Sequence, residues 1–327
     1  MKLKKSLLVL TLVVMVMMTG LSGVYAKTVL TYAHETNYPH PVYLHAEKFQ
    51  ELVAEVSGGK MELVVYHSGE LGAAMDVAQQ AKMGSIDMAL LGTPIVQFLP
   101  DYGAFDMPYL FKDRDHAYKV AWGEIGQELS NKLLKKSGLI VLTSYENGFR
   151  QITNSVRPIN TPADLKGVKL RTPSSKIRID AFKTFGAAPT PMAWTEVYGA
   201  LQRGVIDGQE NPVGNIYSGK LWEVQDYLSI TNHVYGFQFV LMNKKSFDKL
   251  SKKEQGYLVE AARKASEWQI NWCAENEKKI INDLQNEGME VNYADMDAFQ
   301  KMALEKIWPK YEKDYGELIE KVVEAGK

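Results

Sequence analysis

Between residues 28 and 91 the chain switches hydrophobic period at every segment, and that alternation restricts the fold more than any other feature. Residues 28–34 alternate weakly and read as a strand. Residues 41–56 carry Tyr43, Ala46, Phe49, Leu52 and Val53 at helical spacing and stop at Gly58-Gly59. Residues 61–66 read as a second strand, 74–83 as a helix and 86–91 as a third strand. A strand-helix-strand-helix-strand order needs a sheet with parallel pairs and helices over its faces. A longer helix over 116–136 and a strand over 139–143 follow.

The rhythm resumes after Gly148. Strands are expected over 149–153, 168–172 and 205–207, helices over 177–185 and 194–202. Thr161 with Pro162 supplies a cap with proline at the first helical position. This second α/β unit repeats the first in kind, without a repeat of sequence. Two more strands, 228–233 and 237–242, precede Ser251-Lys252-Lys253-Glu254, a capping box. From Tyr257 to Asn286 there is neither glycine nor proline. Leu258, Ala261, Ala265, Trp268 and Trp272 form a stripe that Ile280 and Leu284 resume. A helix of that length runs to about 45 Å, enough to span two lobes. A coiled coil is the competing reading, but the stripe is alanine-rich and breaks near Asn276.

Met1-Lys2-Leu3-Lys4-Lys5 is a positive start, residues 6–18 are almost wholly apolar, and Val24-Tyr25-Ala26 ends small, as a cleavage site does. The apolar run is shorter than the roughly 20 residues of a spanning helix. We therefore expect a cleaved signal peptide over 1–26, with an uncleaved anchor as the alternative, and a soluble remainder. Setting aside Lys2, Lys4 and Lys5 leaves 35 basic against 39 acidic residues, a net charge of −4. No strongly basic surface is available for nucleic acid. Cys273 is the only cysteine, so no intramolecular disulfide forms. It sits beside Trp272 and is expected to be a buried, inert thiol.

No Gly-x-Ser-x-Gly elbow, P-loop, dinucleotide glycine fingerprint or His-Glu-x-x-His occurs. Ser246 and Lys249 match Ser-x-x-Lys without its partner motifs. His34 ends a strand, and His40 and His45 are five apart, poor spacing for a shared metal. The expectation is no catalysis, no cofactor and no metal, with a cation bridging ligand to cleft left open. What remains is Arg150 and Arg171, each at a strand-like position, followed by Gly208-Gln209-Glu210-Asn211-Pro212. A guanidinium is planar, permanently charged and forked, so it pairs with a carboxylate through two parallel hydrogen bonds. On 168–172, Val168 and Leu170 share one face and Lys169 and Arg171 the other. The structural alternatives are an exposed edge for Arg171, an interlobe salt bridge for Arg150 and a helix cap for Asn211.

The run Gly148 to Pro158, with Asp164-Leu165-Lys166-Gly167-Val168-Lys169-Leu170-Arg171-Thr172-Pro173, resembles the solute-binding proteins of TRAP transporters, the DctP family. Glu196-Val197-Tyr198-Gly199-Ala200-Leu201-Gln202, Asp207 to Pro212, Ser68 to Gly72 and Gly84 to Ala89 extend the likeness along the chain. The resemblance implies a two-lobed α/β periplasmic-binding-protein fold with a long helix across both lobes. It places the central carboxylate-binding arginine at Arg171, a second at Arg150 and the cleft asparagine at Asn211. It implies periplasmic localisation and membrane subunits as partners. We expect lobe I to comprise 27–147 with 237–276, lobe II 148–236 with 277–327, and a monomer.

Softer candidates for ligand contact are Trp194, Tyr235, Gln151 and His34. Ala73-Ala74 stands where many relatives carry a polar or acidic residue, and His67 where many have proline. Residues 36–41 differ from the segment of four-carbon dicarboxylate binders, while 211–235 looks more like members that bind sugar acids. The ligand expected is a uronate or aldonate. The alternatives are a C4-dicarboxylate, another small carboxylate, or service to a sensor kinase in place of a transporter.

Overall fold

The computed structural model describes residues 27–327; the expected signal peptide, 1–26, lies outside them. The first unit forms where its periodicity puts it. β1 (Thr28–Ala33), β2 (Met61–Tyr66) and β3 (Met88–Leu91) are separated by helices Pro41–Val56 and Ala74–Met83. β1 pairs in parallel with both β2 and β3. The single helix expected over 116–136 is two, Arg114–Ala121 and Glu124–Ser137. The break falls at Gly123, where a Cβ would lie 2.4 Å from the Lys119 carbonyl oxygen.

The strands expected over 139–143 and 149–153 are one strand, β4 (Leu139–Asn154). An Asn-Gly pair ordinarily marks a hairpin turn. Here Asn147-Gly148 is absorbed as a β-irregularity, one of two register shifts in the ladder, with Gly148 at φ +117°. β5 (Lys169–Thr172), β6 (Ala188–Pro191), β7 (Gly208–Pro212), β8 (Tyr227–Ile230), β9 (Tyr235–Asn243) and β10 (Glu290–Tyr293) complete the set. The strand expected over 205–207 therefore begins three residues later. Asp207 instead turns its carboxylate to accept the Lys169 amide at 2.8 Å.

β4 is the rod of the molecule. Its first part pairs antiparallel with β9, which pairs on with β3. Its last residues pair antiparallel with β7 on one side and β8 on the other. β5 and β6 continue in parallel beyond β7, and β10 beyond β8. The order β2-β1-β3-β9-β4-β7-β5-β6, with β8 and β10 to the side, is thus two α/β lobes sharing one strand. The chain crosses between them along β4 and again from β8 to β9. Gly148 and Gly236 face each other across those two crossings.

The long helix runs Lys252–Asn286, 35 residues or about 52 Å. Ser251 caps it: its hydroxyl accepts the Glu254 amide at 3.3 Å, and Glu254 accepts the Ser251 amide at 2.8 Å. It packs on helix Pro41–Val56 and β4, then on helix Val213–Ser218 and β10, and so braces both lobes. Cys273 is buried on it, and burial pushes its thiol well up. Among the described residues no helix is long and apolar enough to cross a membrane.

His34, His40 and His45 are all buried where β1 hands over to helix Pro41–Val56. Burial lowers them to about 4, 3 and 3 respectively, with neighbouring histidine charge acting in the same direction. The unfolded rings titrate near 6.5, so the fold holds the neutral forms. Their contribution to stability is complete above pH 6.5 and is lost as pH falls toward 4. We expect urea unfolding to show a loss of up to about 1.4 kcal/mol per pH unit for each ring in that window. A stability that stayed flat or rose on acidification from pH 6.5 to 4.5 would contradict this.

Candidate functional site

Both lobes aim the C-terminal ends of their parallel strands at one cleft, the usual place for a ligand in open α/β sheets. From lobe I come Glu35 and Thr36 after β1, Gly92 and Thr93 after β3, and Asn147 and Gln238 from the two crossing strands. From lobe II come Arg150, Arg171, Ser174 after β5, Trp194 after β6, Asn211 near the end of β7 and Asn215 in helix Val213–Ser218. The cavity between them is about 170 Å³. That is below the roughly 300 Å³ at which drug-sized pockets begin, so the space suits a small polar molecule.

Arg171 lies on β5 with Leu170 turned to the core beside it, and is only 4% exposed. Its Nε and Nη2 donate to the Met192 carbonyl oxygen at 2.9 and 2.6 Å. Among the described residues it forms no ion pair. Burial lowers the guanidinium to about 10; Glu210 and Glu35 oppose that from beyond pairing distance, and Arg150 reinforces it. The group is still cationic at neutral pH. A buried cation without a counter-ion is costly, and a site that keeps one is ready for an anion.

The second arginine is differently placed. Arg150 sits diagonally across the β4–β7 ladder from Glu210 and pairs with it through Nε and Nη2, the latter at 3.0 Å. This is a pair within one lobe, not between lobes. Glu210 is fully buried and also accepts from Arg178 Nη1 at 3.0 Å and contacts His233 Nε2 at 3.1 Å. Burial alone would raise that carboxyl, but Arg150 and Arg178 override it and hold it well below the usual carboxylate range. Arg178 reaches on to Asp106 of the other lobe at 2.7 Å. Burial also keeps His233 low, hence neutral. Arg150 and Arg178 thus share Glu210 and Asp106, and Arg171 is left without an ion pair, with the Glu35 carboxyl acting on it from beyond pairing distance.

Four of the seven expected contact residues line the cavity: Arg171, Arg150, Asn211 and Trp194. Asn211 is a strand residue, not a helix cap, and its Nδ2 donates to Gln209 at 2.6 Å. Trp194 opens helix Trp194–Gln202 and lies so close to Gly219 that a Cβ there would meet its ring at 2.9 Å. The other three lie elsewhere. Gln151 turns to the opposite face of β4 from Arg150 and is consumed by the 231–232 loop, accepting both its amides at 2.8 and 3.0 Å. The Tyr235 hydroxyl is bonded to Tyr118 at 2.7 Å and Glu146 at 3.1 Å, with its ring among Phe111, Phe149 and Phe237. His34 Nδ1 bonds the Thr36 hydroxyl at 3.0 Å behind the wall.

Four polar lining residues carry no sequence signature of their own: Glu35, Asn147, Asn215 and Gln238. Ala73 and Ala74 do line the cavity, and the Ala74 amide donates to Glu35 Oε2 at 2.9 Å. Asn147 Oδ1 is buried and accepts no hydrogen bond. His40 Nδ1 accepts the Val42 amide at 3.0 Å, so the neutral ring carries its proton on Nε2, the donor toward the Asn215 side chain. Gln238 fits against Gly92, where a Cβ would approach its Oε1 to 3.0 Å. The arrangement presents a cation at one part of the wall and unfilled acceptors around the rest.

The family model described as bacterial extracellular solute-binding protein, family 7 (DctP) matches residues 32–314. The 2,3-diketo-L-gulonate-binding periplasmic protein YiaO of Escherichia coli K12 is 40% identical over 263 residues, 80% of each chain. The TRAP periplasmic solute-binding protein of Polaromonas sp. JS666, solved with D-erythronate, is 35% identical with a TM-score of 0.86, covering 91% of this chain and 98% of that one. The sugar acid binding protein DctPAm of Advenella mimigardefordensis, solved with galactonate, is 32% identical with a TM-score of 0.87, covering 91% and 97%.

Proposed function

The chain belongs to family 7 of the bacterial extracellular solute-binding proteins, and from that premise we propose that it captures a sugar acid, a uronate or aldonate, for a TRAP transporter. The observation that carries the reading is Arg171: a buried guanidinium in a polar cavity that forms no ion pair among the described residues. Its Nε and one Nη2 proton are taken by the Met192 carbonyl, which leaves the Nη1–Nη2 edge for a carboxylate. A guanidinium that makes no ion pair among the described residues suits a ligand carboxylate. The unfilled acceptors suit hydroxyl groups, because each hydroxyl can donate to one of them. The similarity to proteins solved with erythronate and galactonate points the same way.

The mechanism follows from the shared strand. Lobe I is 27–147 with 237–276, and lobe II is 148–236 with 277–327. They open about the glycine-bearing crossings, admit the acid and close. Closure excludes water and strengthens the arginine–carboxylate bonds. The Asp106–Arg178 pair joins the lobes across the floor, away from the mouth. The closed form is then recognised by the membrane subunits. The protein works outside the cytoplasm after loss of residues 1–26.

Thermal-shift screening against a library of acids tests this. Aldonates and uronates should raise the melting temperature, with about 2.7 kcal/mol of added stability at one hundred times the dissociation constant. If only neutral sugars or amino acids raised it, the carboxylate reading would be wrong.

A further inference from the structure

We infer that Glu35 sets the class of acid the site accepts, by rejecting a second carboxylate while accepting a hydroxyl in the same place. The inference rests on the sugar-acid reading and adds a selectivity residue to it. Glu35 lines the same cavity as Arg171 but forms no ion pair with it. One of its oxygens is fixed by the Ala74 amide at 2.9 Å, which aims the carboxyl and leaves Oε1 without a protein donor. The cavity's second arginine, Arg150, is already neutralised by Glu210. A ligand with carboxylates at both ends would therefore satisfy one on Arg171 and bring the other to a wall with no free cation.

That wall is acceptor-rich. Besides Glu35 Oε1 it holds Asn147 Oδ1, buried and without a donor among the described residues. Buried acceptors left unfilled are unfavourable, so the site discriminates for a ligand that supplies donors there. A hydroxymethyl or ring hydroxyl supplies one; a carboxylate supplies none and meets a like charge. Two arrangements thus act together, one attractive toward hydroxyls and one repulsive toward carboxylates.

Galactonate and galactarate form the matched pair for a test, because they differ only in CH2OH against carboxylate at one end. Burial raises the Glu35 carboxyl, with the Ala74 amide and Arg171 opposing. Titration calorimetry on the whole protein is therefore done at pH 8, on the side that favours the ionised form. The parent should bind galactonate at least about tenfold more tightly than galactarate, a floor well under the roughly thousandfold of a like-charge pair about 4 Å apart at the effective dielectric of a protein surface. In Glu35→Gln, which keeps an acceptor for the Ala74 amide, that ratio should shrink about tenfold through a gain in galactarate affinity. Glu35→Ala should shrink it too, so the test survives if one variant folds poorly. A ratio unchanged in both variants, or a parent that prefers galactarate, overturns the role of Glu35 and leaves the sugar-acid reading standing. A parent that binds galactonate, galactarate and glucuronate not at all overturns both.

Discussion

An Arg171→Met protein should lose its acid ligand and yet melt no lower than the parent when both are empty. The two halves have different causes. In the complex, Arg171 is the one cavity cation without a protein counter-ion, so its removal leaves a ligand carboxylate buried and unpaired. That costs about 3–5 kcal/mol, or between a hundredfold and several thousandfold in affinity. In the empty protein the balance reverses. The substitution gives up two hydrogen bonds to the Met192 carbonyl oxygen, each worth about 1 kcal/mol net. It also removes the desolvation cost of an isolated buried charge, several kcal/mol, and methionine can occupy much of the same volume. Arg171→Lys should fall between, since an ammonium keeps the charge and loses the fork. Titration calorimetry and scanning calorimetry on the same preparations separate the effects. Normal affinity in Arg171→Met would remove the residue from the site, and a much lower melting temperature would make it a structural residue instead.

Arg171 could be found in the sequence because a short strand with period two tells which residues share a face, and the companions of Arg171 on the core side are Val168 and Leu170. The long helix was equally visible, since thirty residues without glycine or proline behind a capping box leave few alternatives. The limits have the same physical origin. Sequence reasoning singles out His34, whereas the cavity is lined by its neighbour Glu35, and of the adjacent candidates Arg150 and Gln151 only Arg150 reaches the cavity. On an extended chain, one residue is the difference between the two faces. β4 was hidden by Asn147-Gly148, whose turn chemistry the fold spends on an irregularity inside a strand. β7 was hidden by its own composition. Gln209, Glu210 and Asn211 are polar enough for a loop, but each is buried in a central strand. Their partners, among them Thr153, Arg150 and Arg178, come from distant segments, so no local pattern announces them. Asn147 had no signature because an unfilled amide is recognisable only once the cavity exists.

Glu210→Gln should be the most damaging isosteric change in the molecule. The amide keeps the shape of the carboxylate but removes the charge that Arg150, Arg178 and His233 surround. Asp106 would then face two buried guanidiniums alone, reaching only Arg178. Breaking a buried pair in this way costs about 3–5 kcal/mol, because the surviving charges stay buried. For a chain of this size that is roughly 10 °C in melting temperature. The defect should also depend on pH in a way that a packing fault would not. In the parent, Glu210 is held below the ordinary carboxylate range, whereas the unfolded chain protonates it near 4.3. Its contribution is therefore complete above pH 4.3 and is lost as pH falls below that value. The glutamine variant has no such group to titrate. Urea unfolding at pH 7 should show the full gap between parent and variant, and at pH 3 the gap should narrow by more than 1 kcal/mol. A gap of the same size at both values would mean that Glu210 stabilises through shape and neutral hydrogen bonds. Arg150 would then no longer be neutralised, and Arg171 would cease to be the one cavity guanidinium without a charged partner.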